Sequence, residues 1–368
     1  MRWRWIWKAD DGSIPQGKPL KFLAILTVRN EGAFLLEWLA HHRAVGFTDF
    51  LVFSNDCQDG TDAILDRLHK MGQITHIRND GPYDKGGIQF TALKQADKLD
   101  IVKQADWILP LDVDEFVNIH VGDGTLPALL SALPDATAIT LTWRLFGNSD
   151  VVRFKDMPVL DQFTKCAPAV LQWPWRASMF KTLYANNGTY RKVGVHRPRS
   201  PDEKKLAQAH WYDCEGRALP DQFKTKRIFS NFGQSNYALA QLNHYPLGAL
   251  ESYVVKADRG RAVHSDDILG LDYWVERNFN TDTDTSISRI KPKRAQVVQE
   301  LRGDKKLDAL HNKAVQWRHK RFEELMLKEP FRALFGRLLM AAPTRPVNKS
   351  AARFMVGFAN AARKAKQK

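Results

Sequence analysis

The sequence contains little cysteine and no long apolar run, and these absences exclude several classes of protein. Only three of the 368 residues are cysteines, and they form no Cys-x-x-Cys pair. Isolated thiols of this kind argue against a disulfide framework and a structural zinc site. No apolar run approaches the roughly 20 residues of a membrane-spanning helix, and residues 1–8 lack the continuous apolar region of a signal peptide. We therefore expect a cytoplasmic protein.

The most informative feature that is present is an apolar stretch ending in carboxylates. Residues 107–111 predict a buried strand, and Asp112, Asp114 and Glu115 follow it closely. Side chains two residues apart project to the same side of an extended chain. Carboxylate oxygens so placed are typical ligands of Mg²⁺ or Mn²⁺, which often share them with substrate phosphates. An EF-hand is excluded because its required Gly and Glu are missing, and the simpler alternative is an acidic turn.

Strand and helix patterns alternate along the first part of the chain. Continuous apolar runs predict strands, amphipathic stretches predict helices, and Gly46 predicts the end of the first helix. Alternation of this kind indicates an α/β fold with a mostly parallel sheet, whose ligands bind where the strands end. The predicted strands are 22–28, 50–53, 74–77, 107–111 and 138–143, and the predicted helices are 34–45, 63–71 and 87–103.

Polar clusters follow three of these strands, and the remaining motifs keep a recognisable order. The chain resembles nucleotide-sugar glycosyltransferases of the GT-A fold, in the broad family 2 group. The resemblance covers roughly residues 20–290. It rests on Arg29-Asn30-Glu31, Glu37-Trp38-Leu39-Ala40-His41-His42, Asn55-Asp56-Cys57-Gln58-Asp59-Gly60-Thr61, Asp112-Val113-Asp114-Glu115-Phe116, Trp143-Arg144-Leu145-Phe146-Gly147 and Asn243-His244-Tyr245, with Ser252, Lys256, Arg259 and Gly260 behind them.

The resemblance implies a Rossmann-like GT-A domain and a reaction. The domain spans residues 20–290, between an aromatic and basic extension at 1–19 and a helical basic extension at 291–368. The enzyme is expected to move a sugar from a nucleoside diphosphate sugar, UDP-linked, to a glycan or lipid-linked envelope acceptor. Transfer is expected to be inverting and to depend on Mn²⁺ or Mg²⁺. The expected process is polysaccharide biosynthesis. A divalent cation would neutralise the diphosphate leaving group.

The same resemblance assigns the residues that follow the first two strands to the nucleotide. A side-chain amide or carboxylate can read the donor and acceptor edge of a pyrimidine base, which suits Asn55, Asp56 and Asp59. Asn, Asp and Gly are also ordinary turn formers, and Asp59 or Thr61 is equally suited to cap the next helix. The implied nucleotide contacts are Arg29, Asn30, Glu31, Asn55, Asp56, Asp59 and Asp112.

Metal and phosphate contacts are implied for the strand-end carboxylates and for the C-terminal half of the domain. Asp112 is expected near the ribose and a metal-bound water, and Asp114 on the metal itself. His244 is preferred to His196 as the added ligand, although a buried structural role is the alternative for both. Lys256 and Arg259 lie three residues apart on a predicted helix face, where they would contact phosphate or, as such pairs often do, solvent.

The base that takes the acceptor proton has two candidates. Asp150 follows the Trp143–Phe146 segment, and Asp213 follows Trp211-Tyr212. Asp213 is equally typical of a hairpin turn, because Cys214, Glu215 and Gly216 come next. The sequence does not choose between them.

The sequence is also consistent with two other functions. A metal-dependent nucleotidyltransferase would use similar carboxylates, although Arg29-Asn30-Glu31-Gly32 is a poor phosphate-gripping loop. A non-catalytic sugar-binding or nucleic-acid-binding protein is the other alternative. The basic pI near 9.6 suits nucleic acid, but no binding motif is found and the excess charge is terminal. No nucleic-acid partner is therefore expected.

Most of the net charge of +14 lies at the C-terminal end of the chain. Residues 328–368 hold ten Lys or Arg and one Glu, and they carry two helical apolar stripes. Basic amphipathic helices bind anionic membrane surfaces, so we expect a peripheral enzyme at the inner membrane face; the alternative is a tail that is solvated or packs on the domain. The Arg-Trp repeat at residues 2–7 has the composition of an interfacial anchor. The stripes are Phe331, Leu334, Phe335, Leu338 and Leu339, then Phe354, Phe358 and Ala361.

Overall fold

A computed structural model describes residues 18–83, 86–259 and 269–365 of the chain. The predicted extension at residues 1–19 therefore lies outside the described residues except at positions 18 and 19, and so does Gly260. The strands are β1 Phe22–Val28, β2 Asp49–Ser54, β3 Thr75–Arg78, β4 Trp107–Leu111, β5 Glu115–Ile119, β6 Ala138–Leu145, β7 Lys165–Cys166, β8 Phe180–Ala185, β9 Tyr190–Lys192, β10 Arg199–Pro201, β11 Trp211–Asp213, β12 Ala240–His244 and β13 Asp282–Thr283.

Helices make up most of the remaining regular structure. Two 3-10 helices, Trp175–Ser178 and Ser286–Ile290, accompany the α-helices. The α-helices are α1 Leu35–Ala44, α2 Thr61–Lys70, α3 Gly87–Ala96, α4 Asp100–Lys103, α5 Leu126–Ala132, α6 Val159–Gln162, α7 Glu203–Leu206, α8 Asp221–Thr225, α9 Leu250–Arg259, α10 Leu271–Val275, α11 Lys291–Arg302, α12 Lys305–Met326, α13 Glu329–Met340 and α14 Lys349–Ala365.

A mixed central sheet organises the described part of the chain. Its order is β3-β2-β1-β4-β8-β6-β12-β5, with β11 also paired to β6. Strands β3, β2, β1 and β4 are parallel, β8 is antiparallel between β4 and β6, and β12 runs parallel to β6. Within the described residues five of the eight pairings are parallel. The predicted α/β class, with a mostly parallel sheet flanked by helices, is confirmed.

The predicted elements agree closely with the observed ones at the centre of the sheet. Strands β1 and β4 have the predicted bounds, and Gly46 takes a φ of 108° just after α1. The predicted helix at 87–103 is wrong in its continuity, because the chain is extended at Leu99 and α3 ends before it. The break coincides with a tertiary contact in which the Asp97 carboxylate accepts the Val193 N–H at 2.8 Å.

Hydrophobic cores lie on both faces of the sheet. Along β1, Ala24 and Leu26 belong to the larger core with α1, whereas Leu23 and Ile25 belong to a second core with α3. Burial on both faces explains why the central strands read as continuous apolar runs rather than as alternating ones. No helix in the described part of the chain is long and apolar enough to cross a membrane.

Helix α1 uses its Glu-Trp-x-x-His-His sequence to hold the segment after β4. The Trp38 indole N–H donates to the Asp112 carbonyl at 3.1 Å, and His41 Nε2 donates to the Val117 carbonyl at 2.8 Å. His42 stacks on Phe116, with ring centroids 5.7 Å apart. This motif therefore fixes the backbone of residues 112–117, which carries the three carboxylates, and its two histidines are buried in the larger core.

The C-terminal helices α11, α12 and α13 pack against the α/β domain. Buried Arg294 of α11 bonds Asp161 at 2.7 Å and lies 3.5 Å from Glu37 of α1. Leu334 and Leu338 of α13 are buried in a third hydrophobic cluster, together with residues of α9 and α10. The predicted boundary at residue 290 therefore does not mark the end of domain packing, which continues through α13.

The buried histidines of α1 should make stability depend on pH. Burial lowers the pKa of His41 to about 3 from an ordinary value of 6.5. Below about pH 6.5 His41 is protonated in the unfolded chain but not in the folded chain. The contribution of neutral His41 to the free energy of unfolding is therefore fully present above that pH and is lost as the pH falls. Between about pH 7.5 and pH 5.5 we expect His41 to account for a loss of about 1 kcal/mol.

Urea unfolding of wild type and His41→Gln at both pH values measures this contribution, because a glutamine amide can still donate to the Val117 carbonyl. The variant should lose less stability on acidification than wild type. His210→Gln is the matched control, because the His210 side chain is exposed and stays largely hydrated in the folded protein. Equal acid losses in wild type and His41→Gln would contradict the assignment.

Candidate active site

The site lies at the edge of the sheet where β1, β2, β4 and β12 end. These strands run in the same direction, so their carboxyl ends meet at one edge. Strand β5 is antiparallel to β12 and begins at that edge, where Glu115 pairs with His244. The predicted clusters after β1, β2 and β4 are thereby brought to the same side of the molecule, as the sequence predicted.

Asp114 lies at the centre of this edge and is held by positive charge. The Lys256 ammonium donates to Asp114 Oδ2 at 2.8 Å and to the Pro246 carbonyl at 2.8 Å. Burial alone would raise the pKa of the Asp114 carboxyl, but the charge of Lys256 outweighs it and holds the pKa well below its usual value. Asp114 is therefore an anion whose second oxygen, Oδ1, faces His244.

His244 is a buried, neutral imidazole beside that oxygen. Its Nε2 lies 3.7 Å from Asp114 Oδ1, and its ring lies 4.3 Å from the Trp143 ring. Burial lowers the pKa of His244 to about 4, which leaves a lone pair available near neutral pH. The buried Nδ1 has no hydrogen-bond partner among the described residues. A histidine with these properties suits a metal ligand.

The residues present fit a divalent cation only as a partial ligand set. Asp114 and His244 form a neighbouring carboxylate–imidazole pair, and Mg²⁺ commonly takes few protein ligands beside water and substrate phosphates. Among the described residues no group of three or more His, Cys, Asp or Glu side chains is arranged to hold a metal ion. The carboxylate of Asp112, the third predicted ligand, is bonded elsewhere.

Asp112 belongs to a cluster around a buried lysine. Lys181 is fully buried and contacts Asp112 Oδ2 at 3.0 Å and Glu115 Oε2 at 3.4 Å. Gln89 donates to Asp112 Oδ1 at 3.2 Å, and the Trp143 indole N–H donates to Glu115 Oε1 at 2.6 Å. Burial lowers the pKa of Lys181, but its two carboxylates more than offset this, so the ammonium is charged. The lysine fixes both acidic side chains.

Lys181 was not among the residues predicted from the sequence. It lies in β8, whose other residues are Phe180, Thr182, Leu183, Tyr184 and Ala185. A single lysine inside an otherwise apolar strand was the available signal, because a fully buried lysine needs an anionic partner. His196, the second predicted histidine, lies near this lysine and bonds the Phe180 carbonyl at 3.0 Å through Nδ1.

Asn55, which directly follows β2, carries an unpaired side-chain amide. Its side chain is fully buried, and neither amide atom has a hydrogen-bond partner among the described residues. An unpaired buried amide is costly, so the position favours a bound group or water. The neighbouring Asp56 is exposed and accepts the Tyr83 hydroxyl at 2.6 Å. Together these two residues offer a donor and acceptor edge at the predicted nucleoside position.

Both carboxylate oxygens of Asp59, a predicted nucleotide contact, are bonded to backbone N–H groups. One carboxylate oxygen accepts the Gly32 N–H at 2.8 Å, and the other accepts the Thr61 N–H at 2.9 Å. Asn30 makes a similar bond, since its Oδ1 accepts the Gln58 N–H at 2.7 Å. These bonds tie the loop after β1 to the loop after β2. The alternative interpretation of Asp59 as a turn residue is therefore the one its contacts support.

The basic residues of α9 face the site rather than solvent. Arg259 donates to the Arg29 carbonyl at 2.7 Å and bonds Glu31, while Lys256, one turn earlier, bonds Asp114. Both cations thus reach the strand-end loops from one helix face, as their spacing predicted. Glu31 is engaged by these arginine contacts, so it shapes the site without a free carboxylate for a nucleotide.

Helix α12 supplies a further arginine that the sequence did not reveal. Arg318 is buried, lies 3.8 Å from Glu31, and donates to the Ser252 carbonyl at 3.3 Å. Its guanidinium stacks 4.6 Å from the Phe34 ring. Because α12 falls outside the domain bounds predicted from the motifs, only the packing of the C-terminal helices brings this residue to the site.

The structure separates the two predicted base candidates. Asp150 is exposed, follows the end of β6 beside β12, and accepts the Asn280 amide at 3.4 Å. Asp213 is buried, accepts the Arg217 guanidinium at 2.7 Å and also two backbone N–H groups of its own turn. The carboxylate of Asp213 is therefore saturated within a hairpin, and the prediction of a catalytic role for it is not supported by its contacts.

One family model and two curated proteins that match this chain are named as glycosyltransferases of family 92. Residues 27–209, just under half of the chain, match the model of glycosyltransferase family 92. A family 92 protein of Ricinus communis is 25% identical over 107 residues, which cover 28% of this chain and 18% of that protein. One of Oryza sativa is 24% identical over 143 residues, 37% of this chain and 23% of that protein. These matches support the predicted enzyme class, a glycosyltransferase.

These matches are too partial to assign a substrate or a mechanism to this chain. The matching model is family 92, whereas the motifs suggested the family 2 group. The matched segments span about a fifth of the length of the two relatives. S. aureus TarS in complex with UDP-GlcNAc is similar at 15% identity, over 76% of this chain and 71% of that chain, with a TM-score of 0.33. A TM-score this low supports no inference about substrate or mechanism.

Removing the buried lysine should be far more costly than removing an exposed one. Lys181→Met keeps the side-chain length but leaves Asp112 and Glu115 without their cation, and breaking a buried ion pair in this way costs about 3–5 kcal/mol. Lys103→Met is the matched control, because Lys103 and Asp100 form an exposed pair at 3.2 Å. That change should cost less than about 1 kcal/mol.

Chemical denaturation of both variants provides the measurement. If Lys181→Met unfolds no more easily than Lys103→Met, the cluster around Lys181 does not hold the site together. Lys181→Arg offers a second check, since it keeps the charge but must fit a larger head group into a fully buried position.

Proposed function

We propose that this chain is a glycosyltransferase that moves a sugar from a UDP-linked nucleoside diphosphate sugar to a glycan or lipid-linked acceptor. The observation that carries the proposal is the meeting of three groups at one sheet edge. These are the unpaired amide of Asn55, the Asp114–His244 pair and the lysine of α9, Lys256. A nucleoside, a cation and a diphosphate are the chemical groups that would fill them in that order.

The nucleoside is assigned to the loop after β2. Asn55 offers both a donor and an acceptor, which matches the edge of a pyrimidine base, and its lack of a protein partner supports a ligand there. The exposed Asp56 of this loop accepts the hydroxyl of half-buried Tyr83, which follows β3, and the two form one side of the subsite. Because base recognition through buried amide groups penalises a ligand that leaves them unpaired, this subsite would favour one base over others.

The diphosphate is assigned to the basic face of α9. Lys256 and Arg259 project toward the strand-end loops, where they would attract the phosphate oxygens and stabilise the negative charge of the leaving diphosphate. Asp114 and His244 are the residues that would hold Mn²⁺ or Mg²⁺. A bound cation supplies further neutralisation of the same leaving group.

Asp112 is assigned to orient the nucleotide-sugar donor next to the Asp114–His244 pair. Gln89 and Lys181 fix its two carboxylate oxygens, and its side chain is still 37% exposed toward the edge. An anion held this firmly can accept a hydrogen bond from a ribose hydroxyl without reorganising. Lys181 contributes indirectly, since it sets the position of Asp112 and, being fully buried, is a positioning residue.

The acceptor is assigned to a cleft beside Asp114. The cleft is lined mainly by apolar side chains, among them Phe34, Phe154, Met157, Phe163 and Leu247. Such a surface suits the apolar face of a sugar ring or a lipid-linked acceptor. Asp150 is assigned as the base that takes the acceptor hydroxyl proton during an inverting displacement, because it is the exposed member of the two candidates.

Loss of a strand-end carboxylate should remove metal-dependent donor binding. Asp114→Asn deletes the negative charge that faces His244 and should weaken the Mn²⁺-dependent part of UDP binding by at least roughly a hundredfold. Asp112→Asn should weaken donor binding as well, since the amide no longer pairs with Lys181. Titration calorimetry with UDP, with and without Mn²⁺, measures both effects.

Asp100→Asn is the matched control, because it removes an exposed carboxylate that is paired with a lysine but lies outside the proposed site. Its UDP affinity should equal that of wild type. Retention of Mn²⁺-dependent UDP affinity by Asp114→Asn would refute the metal assignment, whereas an absence of UDP binding by folded wild-type protein would refute the proposed donor.

The two base candidates should differ in what their removal changes. Asp150→Asn should lower turnover by roughly 10²–10⁴-fold while leaving UDP affinity and thermal stability near wild type. Asp213→Asn should instead lower the free energy of unfolding by about 1–3 kcal/mol, because a buried acceptor of charged and backbone donors is altered.

Turnover, UDP affinity and melting temperature of the two variants are the readouts. A normal turnover in Asp150→Asn would remove it as the base. A turnover defect in Asp213→Asn with unchanged stability would return that residue to consideration.

A further inference from the structure

Helix α14 is the least covered of the C-terminal helices. Among its described side chains, Ala352 is buried and Val356 is half-buried, and every other side chain whose burial is described is exposed. The segment that leads to α14 is nevertheless attached to the domain, because the Thr344 N–H donates to the Asn278 carbonyl at 2.8 Å. The helix is therefore presented from a fixed point while most of its surface meets solvent.

The exposed surface of α14 has an apolar face. With about 100° between successive residues of an α-helix, Phe354, Met355 and Phe358 fall within one arc. These side chains are 68%, 48% and 61% exposed, and the Phe354 and Phe358 rings contact each other edge to face at 5.0 Å. Contiguous large apolar side chains in water are unusual for a soluble protein and mark a contact surface.

The opposite face of α14 is basic. Lys349, Arg353 and Lys364 fall in the arc away from the phenylalanines, and residues 330–368 contain no Asp or Glu. An apolar face bordered by lysine and arginine is the pattern of a helix that lies in the plane of a membrane surface, where the long basic side chains reach the head groups. A second copy of this helix would add further positive charge without an anion to balance it, because residues 330–368 contain no Asp or Glu.

Helix α13 does not share this property, although its sequence has a similar stripe. Leu334 and Leu338 are buried against α9 and α10, and Phe331 and Phe335 pack on the same cluster. The sequence prediction treated both stripes as membrane contacts. Four of the five α13 stripe residues are thus covered by the domain and only Leu339 is exposed, so the α14 stripe is the one whose aromatic side chains remain available for a partner.

We propose that the apolar face of α14, formed by Phe354, Met355 and Phe358, docks on an anionic lipid bilayer and holds the enzyme at the membrane surface. Charge complementarity decides the partner, because the helix and the segment before it carry only basic charges. The proposal is independent of the sugar-transfer reaction. It adds a surface that would bring the site near a lipid-linked acceptor.

Co-sedimentation of the full-length protein with vesicles tests the proposal. Vesicles of equal parts phosphatidylcholine and phosphatidylglycerol should bind the protein, vesicles of phosphatidylcholine alone should bind much less, and added salt should release it. Phe354→Ser/Phe358→Ser should bind at least roughly tenfold more weakly than wild type. Arg353→Glu/Lys364→Glu should bind roughly thirtyfold or more weakly, since each basic group near an anionic surface contributes roughly fivefold.

The control for the charge reversal is Lys98→Glu/Lys306→Glu, which makes the same change in net charge at exposed positions outside α14. It should retain most of the wild-type binding. Circular dichroism and the melting temperature should be unchanged in every variant, because the substituted side chains are exposed.

Three results would overturn the proposal. If wild-type protein does not bind anionic vesicles, α14 is not a membrane contact. The same conclusion follows if Phe354→Ser/Phe358→Ser binds these vesicles as strongly as wild type. Concentration-dependent self-association that disappears in Phe354→Ser/Phe358→Ser, seen by analytical ultracentrifugation without vesicle binding, would assign the face to a second copy of the chain instead.

Discussion

The pairing of buried lysines with strand-end carboxylates is the interaction on which the site depends. Asp112, Asp114 and Glu115 lie within four residues of one another, and at a half-buried sheet edge their mutual repulsion and loss of water would be costly. Lys181 pairs with Asp112 and also contacts Glu115, whose pKa burial still raises above its usual value, and Lys256 pairs with Asp114. The edge thereby stays anionic where a cation could be held, and cationic where a diphosphate could be attracted.

These lysines come from distant parts of the chain, so the charge balance depends on strand register. Pairing of Ile108 with Tyr184 brings β8 against β4, and Lys181 lies three residues before Tyr184, at the end where β4 stops. A slip of one residue would move every side chain of β8 to the other face. The lysine would then enter the second core, and Asp112 would lose its partner.

The sequence was sufficient for β1 to β4 and for β6, and for the position of the polar groups that follow β1, β2 and β4, whereas β5, β8 and β12 of the same sheet were not predicted. Continuous apolar runs gave the bounds of β1 and β4, and the Asp-x-Asp spacing located the carboxylate edge. Residues whose role comes from tertiary contact were not predictable in this way. Lys181 and Arg318 read locally as single cations, and nothing near them in the sequence names the anion they meet. For Asp59 and Asp213 the sequence left a turn role as the alternative, and their bonds to backbone N–H groups of their own turns agree with that alternative.

The same reasoning separates the C-terminal helices by what they contribute. Arg318 of α12 lies beside Glu31, which also binds Arg259 of α9, so the charge network at the site extends into the helices beyond residue 290. Helix α13 closes the third cluster over α9, which carries Lys256. Helix α14 adds little to either, since its large apolar side chains remain in water. Three of the exposed large apolar side chains thus lie together on one helix face, and the proposed membrane contact rests on that arrangement.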